Sequence, residues 1–355
     1  MQRIAAKSPQ AERAYALVVS LQQQFVECMQ DVSRSAGSGR EFEPAEWFRA
    51  EGKYGGGTRY VANDSDFFNQ ASVNVSQVQY DADESKALAS ATALSSIIHP
   101  HNPSAPSVHL HVSWTEMKTG RGYWRVMADL NPAIENPQHT ARFKAALETA
   151  SHDMGVTVSL ETAFAQGDRY FYIPTLERHR GACHFYLENY YTDNAEADLA
   201  VAERIISGVI DSYASLLSEV ASNKALLSAE DFRRQLDYHS LYFFQVLTLD
   251  RGTTSGLLVH DQNDVGILGS LPLHVDRALI RSWLPKMPTP QEKLLQSLLD
   301  CLPAPEPSSD SKSLIDESAK RALATAVRSH YKQYPEALAL QASGEVIPPT
   351  VANHQ

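Results

Sequence analysis

Residues 99–114 read HPHNPSAPSVHLHVSW, and the fold is decided by how this stretch is read. Pro100, Pro103 and Pro106 fix φ, remove their backbone donors and hold the preceding residues extended, so the first half is a stiffened loop. From Val108 onward apolar and polar residues alternate. Val108, Leu110, Val112 and Trp114 share one face of a strand, while His109, His111 and Ser113 share the other. One face builds core, and the other is a polar wall. The pattern alone leaves three uses open for that wall. It is the wet side of an antiparallel sheet, or a pair of imidazoles that share a metal ion once further ligands meet them, or the wall of a cavity in which a histidine exchanges protons near neutral pH.

Working outward, TEMKTGRGYWRVMADL (115–130) continues the histidine strand into a hairpin, with Gly120 and Gly122 between two aromatic-rich strands. Upstream, FFNQASVNVSQVQY (67–80) is another alternating run, and Gly55, Gly56 and Gly57 precede a strand beginning TRYV. Residues 9–32, 140–150 and 194–222 carry apolar side chains at helical spacing, Leu199, Ile205, Ile206, Val209, Ile210 and Leu216 forming the inner face of the last. LYFFQVLTLDRG (241–252) and GLLVH (256–260) read as paired strands, and 314–333 as a helix. These elements give an α+β fold, a large mostly antiparallel sheet flanked by helices on both faces. PAPEPSSDSKS (303–313) is a linker by composition, so residues 1–303 are expected to form one domain and 304–355 a linker with a C-terminal helical extension.

The 355 residues are 43% hydrophobic, ample for a packed core. Lys and Arg total 31 against 42 for Asp and Glu, a net charge of −11 that argues against nucleic acid or an anionic membrane as a general partner. An anionic ligand must meet a local basic cluster. Cys28, Cys183 and Cys301 are too scattered for a disulfide framework, which suits a reducing cytoplasm. Neither a secretory leader nor an 18-residue apolar run is legible.

The triple glycine lacks the Lys-Ser/Thr of a phosphate loop and the spacing of a dinucleotide fingerprint, but it lets backbone approach a ligand or a neighbouring strand. Asp250 and Arg251 form an acid-base pair at an expected strand end, a carboxylate to accept N–H donors and a guanidinium to grip a carboxylate, although such a dipeptide is more often an ordinary turn with a surface ion pair. Asp129, before Pro132, has the same ambiguity. His139, His179 and His184 could join His109 around a metal, though none shows the fixed spacing of zinc motifs.

FFNQASVNVSQV, HPHNPSAPSVHLHV, ADLNP (128–132), HRGACHF (179–185), LDRGTTSGL (249–257) and SLPL (270–273) resemble, in order and spacing, the oxygen-dependent coproporphyrinogen III oxidase family over roughly residues 20–300. The resemblance implies a homodimer and a cleft for a tetrapyrrole. It implies oxidative decarboxylation of two propionates of coproporphyrinogen III to vinyl groups, in heme biosynthesis, with dioxygen as co-substrate and no organic cofactor; from the histidine spacing no metal is expected. It places His109 at the acid-base position, Asp129 and Asp250 facing pyrrole nitrogens, Arg180 and Arg251 on propionates, and Asn74, Ser95, His99 and His111 along the cavity. Departures are also visible. Arg125, Val126 and Met127 replace a run of glycines, Asn131 replaces a threonine, and His111 and Ser113 stand where asparagine and arginine are usual. Glu188 and Asn189 replace an acidic pair. Of four histidines proposed as metal positions, His99, His109 and His139 are matched, and the fourth falls near Thr175. The alternative implied by these departures is a paralogue that binds a tetrapyrrole without oxidase activity.

Overall fold

The computed structural model describes residues 2–39, 41–63, 66–152, 159–223, 226–260, 262–304, 312–343, 351 and 354. By internal contacts the chain divides into two compact units: residues 1–168, 181–225 and 352–355, and residues 169–180 and 226–351. This division does not coincide with the break expected from composition near residue 304.

The first unit is built on a seven-stranded, wholly antiparallel sheet. In spatial order its strands are β1 (Glu43–Phe48), β2 (Gly55–Ala62), β3 (Phe68–Gln79), β4 (Leu88–Pro100), β5 (Ser107–Met117), β6 (Gly122–Asn131) and β7 (Cys183–Tyr190). The α+β class expected from the sequence is what the chain adopts. The β5–β6 hairpin turns at Gly120, whose φ of 82° suits glycine. The triple glycine lies inside β2 rather than ahead of it, and the reason is close approach. A Cβ on Gly57 would stand 2.1 Å from the Val75 carbonyl oxygen and 2.6 Å from the Trp47 indole nitrogen.

Three helices cover the apolar face. The first, α1 (Pro9–Ser35), starts with Ser8 capping Ala11 N–H and Pro9 in its first turn. It packs beside α4 (Ala195–Ser222), which is capped by Asn194, and α2 (Pro137–His152) lies against α4. Leu17, Leu21 and Phe25 of α1 and Ile205, Val209 and Leu216 of α4 share one buried cluster with Val108, Leu110 and Val112 of β5. Each such side chain contributes about 1.5–3 kcal/mol by leaving water, which fixes which face of β5 is core. The remaining helix of this region, α3 (Leu160–Phe171), went unread in the sequence. Its Gly167 runs so close to β7 that a Cβ would meet the His184 backbone at 2.6 Å.

The second unit corrects the strands expected at 241–260. Residues 229–248 form α5 (Ala229–Thr248) and residues 251–259 form α6 (Arg251–Val259). Every residue from Tyr238 to Thr248 is buried, so the run shows no polar face, and a helix buried all round cannot be told from a buried strand by periodicity. A capping box between Ser228 and Asp231 starts α5, and Asp250 caps α6, so Asp250 stands at a helix N-terminus and not at a strand end. The unit continues through α7 (Asp264–Ile267), α8 (Arg277–Ser282) and α9 (Gln291–Cys301). The helix expected at 314–333 is α10 (Glu317–Gln333), capped by Asp316 and packed on α9, α7 and α6. Most of the linker and the terminal dozen residues lie outside the described residues.

Candidate active site

Alternation and register together assemble the polar wall. In antiparallel pairs, residues directly opposite share a face, with Cβ atoms about 4.5–5.5 Å apart. One row across the sheet reads Arg59, Asn74, Ser95, His111, Met127, Tyr186. The next reads Ser72, Ile97, His109, Asp129, His184, and beyond it stand Gln70, His99, Ser107 and Asn131. Six residues singled out from the sequence, Asn74, Ser95, His99, His109, His111 and Asp129, therefore occupy adjacent rows on the face opposite α1 and α4.

At the centre His109 Nδ1 lies 2.6 Å from Asp129 Oδ1, with the carboxylate fully buried and the imidazole 18% exposed. Asn131 Nδ2 donates to the other carboxylate oxygen at 2.6 Å. An ionised Asp129 makes His109 Nδ1 the donor, fixing the ring's tautomer and orientation. His99 is wholly buried and its Nδ1 is 2.8 Å from Ser107 Oγ. His111 Nε2 is 3.0 Å from Ser113 Oγ. Burial first, then the charges of His109 and Arg125, push His111 down to about 3, so its imidazole is neutral near pH 7. Asn74 Oδ1 accepts from the Trp47 indole at 3.3 Å, and His184 Nδ1 is 2.8 Å from Asp168.

His139 is not among these residues. It stands on α2 in the helical layer, beside α4, where burial and the Arg142 charge lower its pKa against the pull of Glu219. Among the described residues, no three His, Cys, Asp or Glu side chains group closely enough to hold a metal ion.

The family model for coproporphyrinogen III oxidase matches residues 13–301. The chain belongs to the coproporphyrinogen III oxidase family. Among curated proteins it is similar to the oxygen-dependent coproporphyrinogen-III oxidase of Drosophila melanogaster, 26% identical over 318 residues that cover 82% of this chain and 77% of the fly protein. It is 26% identical over 279 residues to the mitochondrial enzyme of Homo sapiens, covering 72% of this chain and 59% of the human one. The corresponding protein of Dictyostelium discoideum is 28% identical over 215 residues, covering 59% and 61%. The chain thus spans under two thirds of the human and Dictyostelium relatives.

Within this family member the sequence departures have definite places. Arg125 and Met127 both point to the polar face, in register with Ser113 and His111. Asn131 is the residue that holds Asp129, a role its sequence position did not disclose. The other sequence candidates sit in the second unit. Arg180 is buried in an aromatic slot, its guanidinium 4.4 Å from the Phe171 ring centre and 5.0 Å from that of Tyr242, with Nη1 donating to Gln245 Oε1 at 2.6 Å. Asp250 accepts from Thr253 N–H at 2.7 Å and from the Tyr170 hydroxyl at 3.0 Å. Arg251 donates from Nε to the Ala342 carbonyl at 3.2 Å, and its Nη2 is buried without a partner. Gln245, Tyr170, Phe171 and Ala342 were invisible as site residues in the sequence because only tertiary packing brings them to these side chains. Among the described residues no helix is long and apolar enough to cross a membrane.

Proposed function

We propose that this protein oxidatively decarboxylates two propionate side chains of coproporphyrinogen III to vinyl groups, as a cytoplasmic homodimer serving heme biosynthesis, with dioxygen as the oxidant and no metal or organic cofactor. Each turnover removes CO2 and a hydrogen from the propionate, and the electron pair passes to dioxygen, which leaves as hydrogen peroxide once protonated. The observation that carries the reading is the His109–Asp129–Asn131 chain on the polar face of a sheet belonging to this family. His109 is the proton donor and acceptor. Asp129 has one oxygen on His109 and the other on Asn131, so we assign it to orienting the imidazole rather than to facing a pyrrole. The neutral His111, with Ser95, Asn74 and His99 in adjacent rows, lines the same wall.

Aerobic incubation of the purified protein with coproporphyrinogen III, followed by chromatographic separation of the porphyrin products, tests the reading. Vinyl-bearing product is expected, and His109→Ala should reduce its formation by about 10²–10⁴-fold with the fold retained. No vinyl product at stoichiometric protein, with tight binding of the ring, would instead favour a tetrapyrrole-binding role.

A further inference from the structure

Arg125 is a half-buried cation with no anion assigned to it. It lies on the polar face, directly across from Ser113, and its guanidinium stacks on the Tyr123 ring at 5.4 Å. Its one hydrogen bond is a long one, from Nη2 to the Tyr123 hydroxyl at 3.4 Å, and its Nε is buried without any partner. It makes no ion pair with a carboxylate of the described residues. Other groups on this face adjust to it. Its charge helps hold His111 neutral, and it pulls the Tyr186 hydroxyl down against the much larger upward push of burial. Glu188, the nearest acid along β7, is engaged by the Tyr186 hydroxyl at 3.3 Å.

A half-buried guanidinium costs free energy unless something satisfies it. Here the unsatisfied donor is on the same face as His109, two register rows away, a strand distance of about 14 Å at 3.4 Å per residue. That span fits a ligand with several carboxylates spread around a wide ring, one reacting near His109 while another reaches Arg125. We propose that Arg125 is the carboxylate-binding, specificity-determining residue of the sheet's polar face, gripping a propionate that does not react. The assignment rests on the porphyrinogen reading above and gives it a charge partner.

The test uses the full chain and two unreactive probes: coproporphyrin III, the oxidised ring with four carboxylates, and a porphyrin with two. Binding is followed by porphyrin fluorescence, and thermal melts check folding. Arg125→Gln should weaken coproporphyrin binding by about 10- to 100-fold, the loss of a hydrogen-bonded charge, with a much smaller effect on the dicarboxylate. Arg125→Lys should recover part, since it keeps charge but not the fork. Adding Ser113→Arg to Arg125→Gln should restore most of the affinity, because the register places a guanidinium from either strand in the same space. If the wild-type chain binds neither porphyrin, the porphyrinogen reading fails and the assignment falls with it. If wild type binds and Arg125→Gln binds equally well, the assignment alone is wrong. A loss that neither Arg125→Lys nor Ser113→Arg relieves assigns Arg125 to structure and also overturns it.

Discussion

His111→Gln should make the protein more resistant to acid. The ordinary histidine pKa of 6.5 is pushed down to about 3 in the folded chain, chiefly by burial. Between those values the unfolded chain binds a proton that the folded chain refuses, so stability rises with pH across the window. In the other direction, stability is lost as pH falls below 6.5, and the loss levels off near 3. Across the whole window this amounts to about 5 kcal/mol at 1.36 kcal/mol per pH unit, of which about 3 kcal/mol is lost by pH 4. The side chain is half-buried, and water at its edge reduces the figure, so roughly 1.5–3 kcal/mol is expected at pH 4. Glutamine keeps a polar group beside Ser113 and never charges. Urea unfolding at pH 7 and pH 4 measures the outcome: the variant's stability relative to wild type should improve by that amount between the two. A difference that stays constant with pH would mean that His111 takes up its proton in the folded state without penalty, and burial as the cause of its lowered pKa would be wrong.

Gly57→Ala should destabilise by about 1–3 kcal/mol, read as a lowered Tm, because the new methyl collides with the Val75 carbonyl and the Trp47 ring. Tyr213→Phe should cost about 1–2 kcal/mol in urea unfolding, because the buried Tyr213 hydroxyl donates to the Pro106 carbonyl at 2.9 Å and ties the proline loop to α4. Asp129→Asn should lower vinyl formation by about 10²-fold or more, as the amide no longer enforces the His109 tautomer, and unchanged turnover would remove Asp129 from the mechanism.

What the sequence made legible follows from exposure to a single physical contrast. β5 was readable because one side of it is core and the other polar, so Val108 and His109 announce opposite faces; α1 and α4 were readable for the same reason at helical spacing. Where burial is uniform the contrast vanishes, which is how α5 passed for strands. The six wall residues could be picked singly, but that His109 meets Asp129 rather than Met127 depends on the register, which no local pattern states. Arg125 shows the same limit. In sequence it looked like bulk placed where open space is usual, and only the pairing with Ser113 turns it into an available cation.

Ala342 has a consequence for how this protein is cut and tagged. Its N–H donates to the Leu249 carbonyl at 2.9 Å while its own carbonyl receives Arg251 Nε, so the backbone of this one residue braces both flanks of Asp250. The family-matched segment closes at residue 301, and trimming there would delete the brace together with α10. A minimal fragment intended to keep the Asp250–Arg251 corner in shape has to run through residue 342, with any fusion partner attached beyond it.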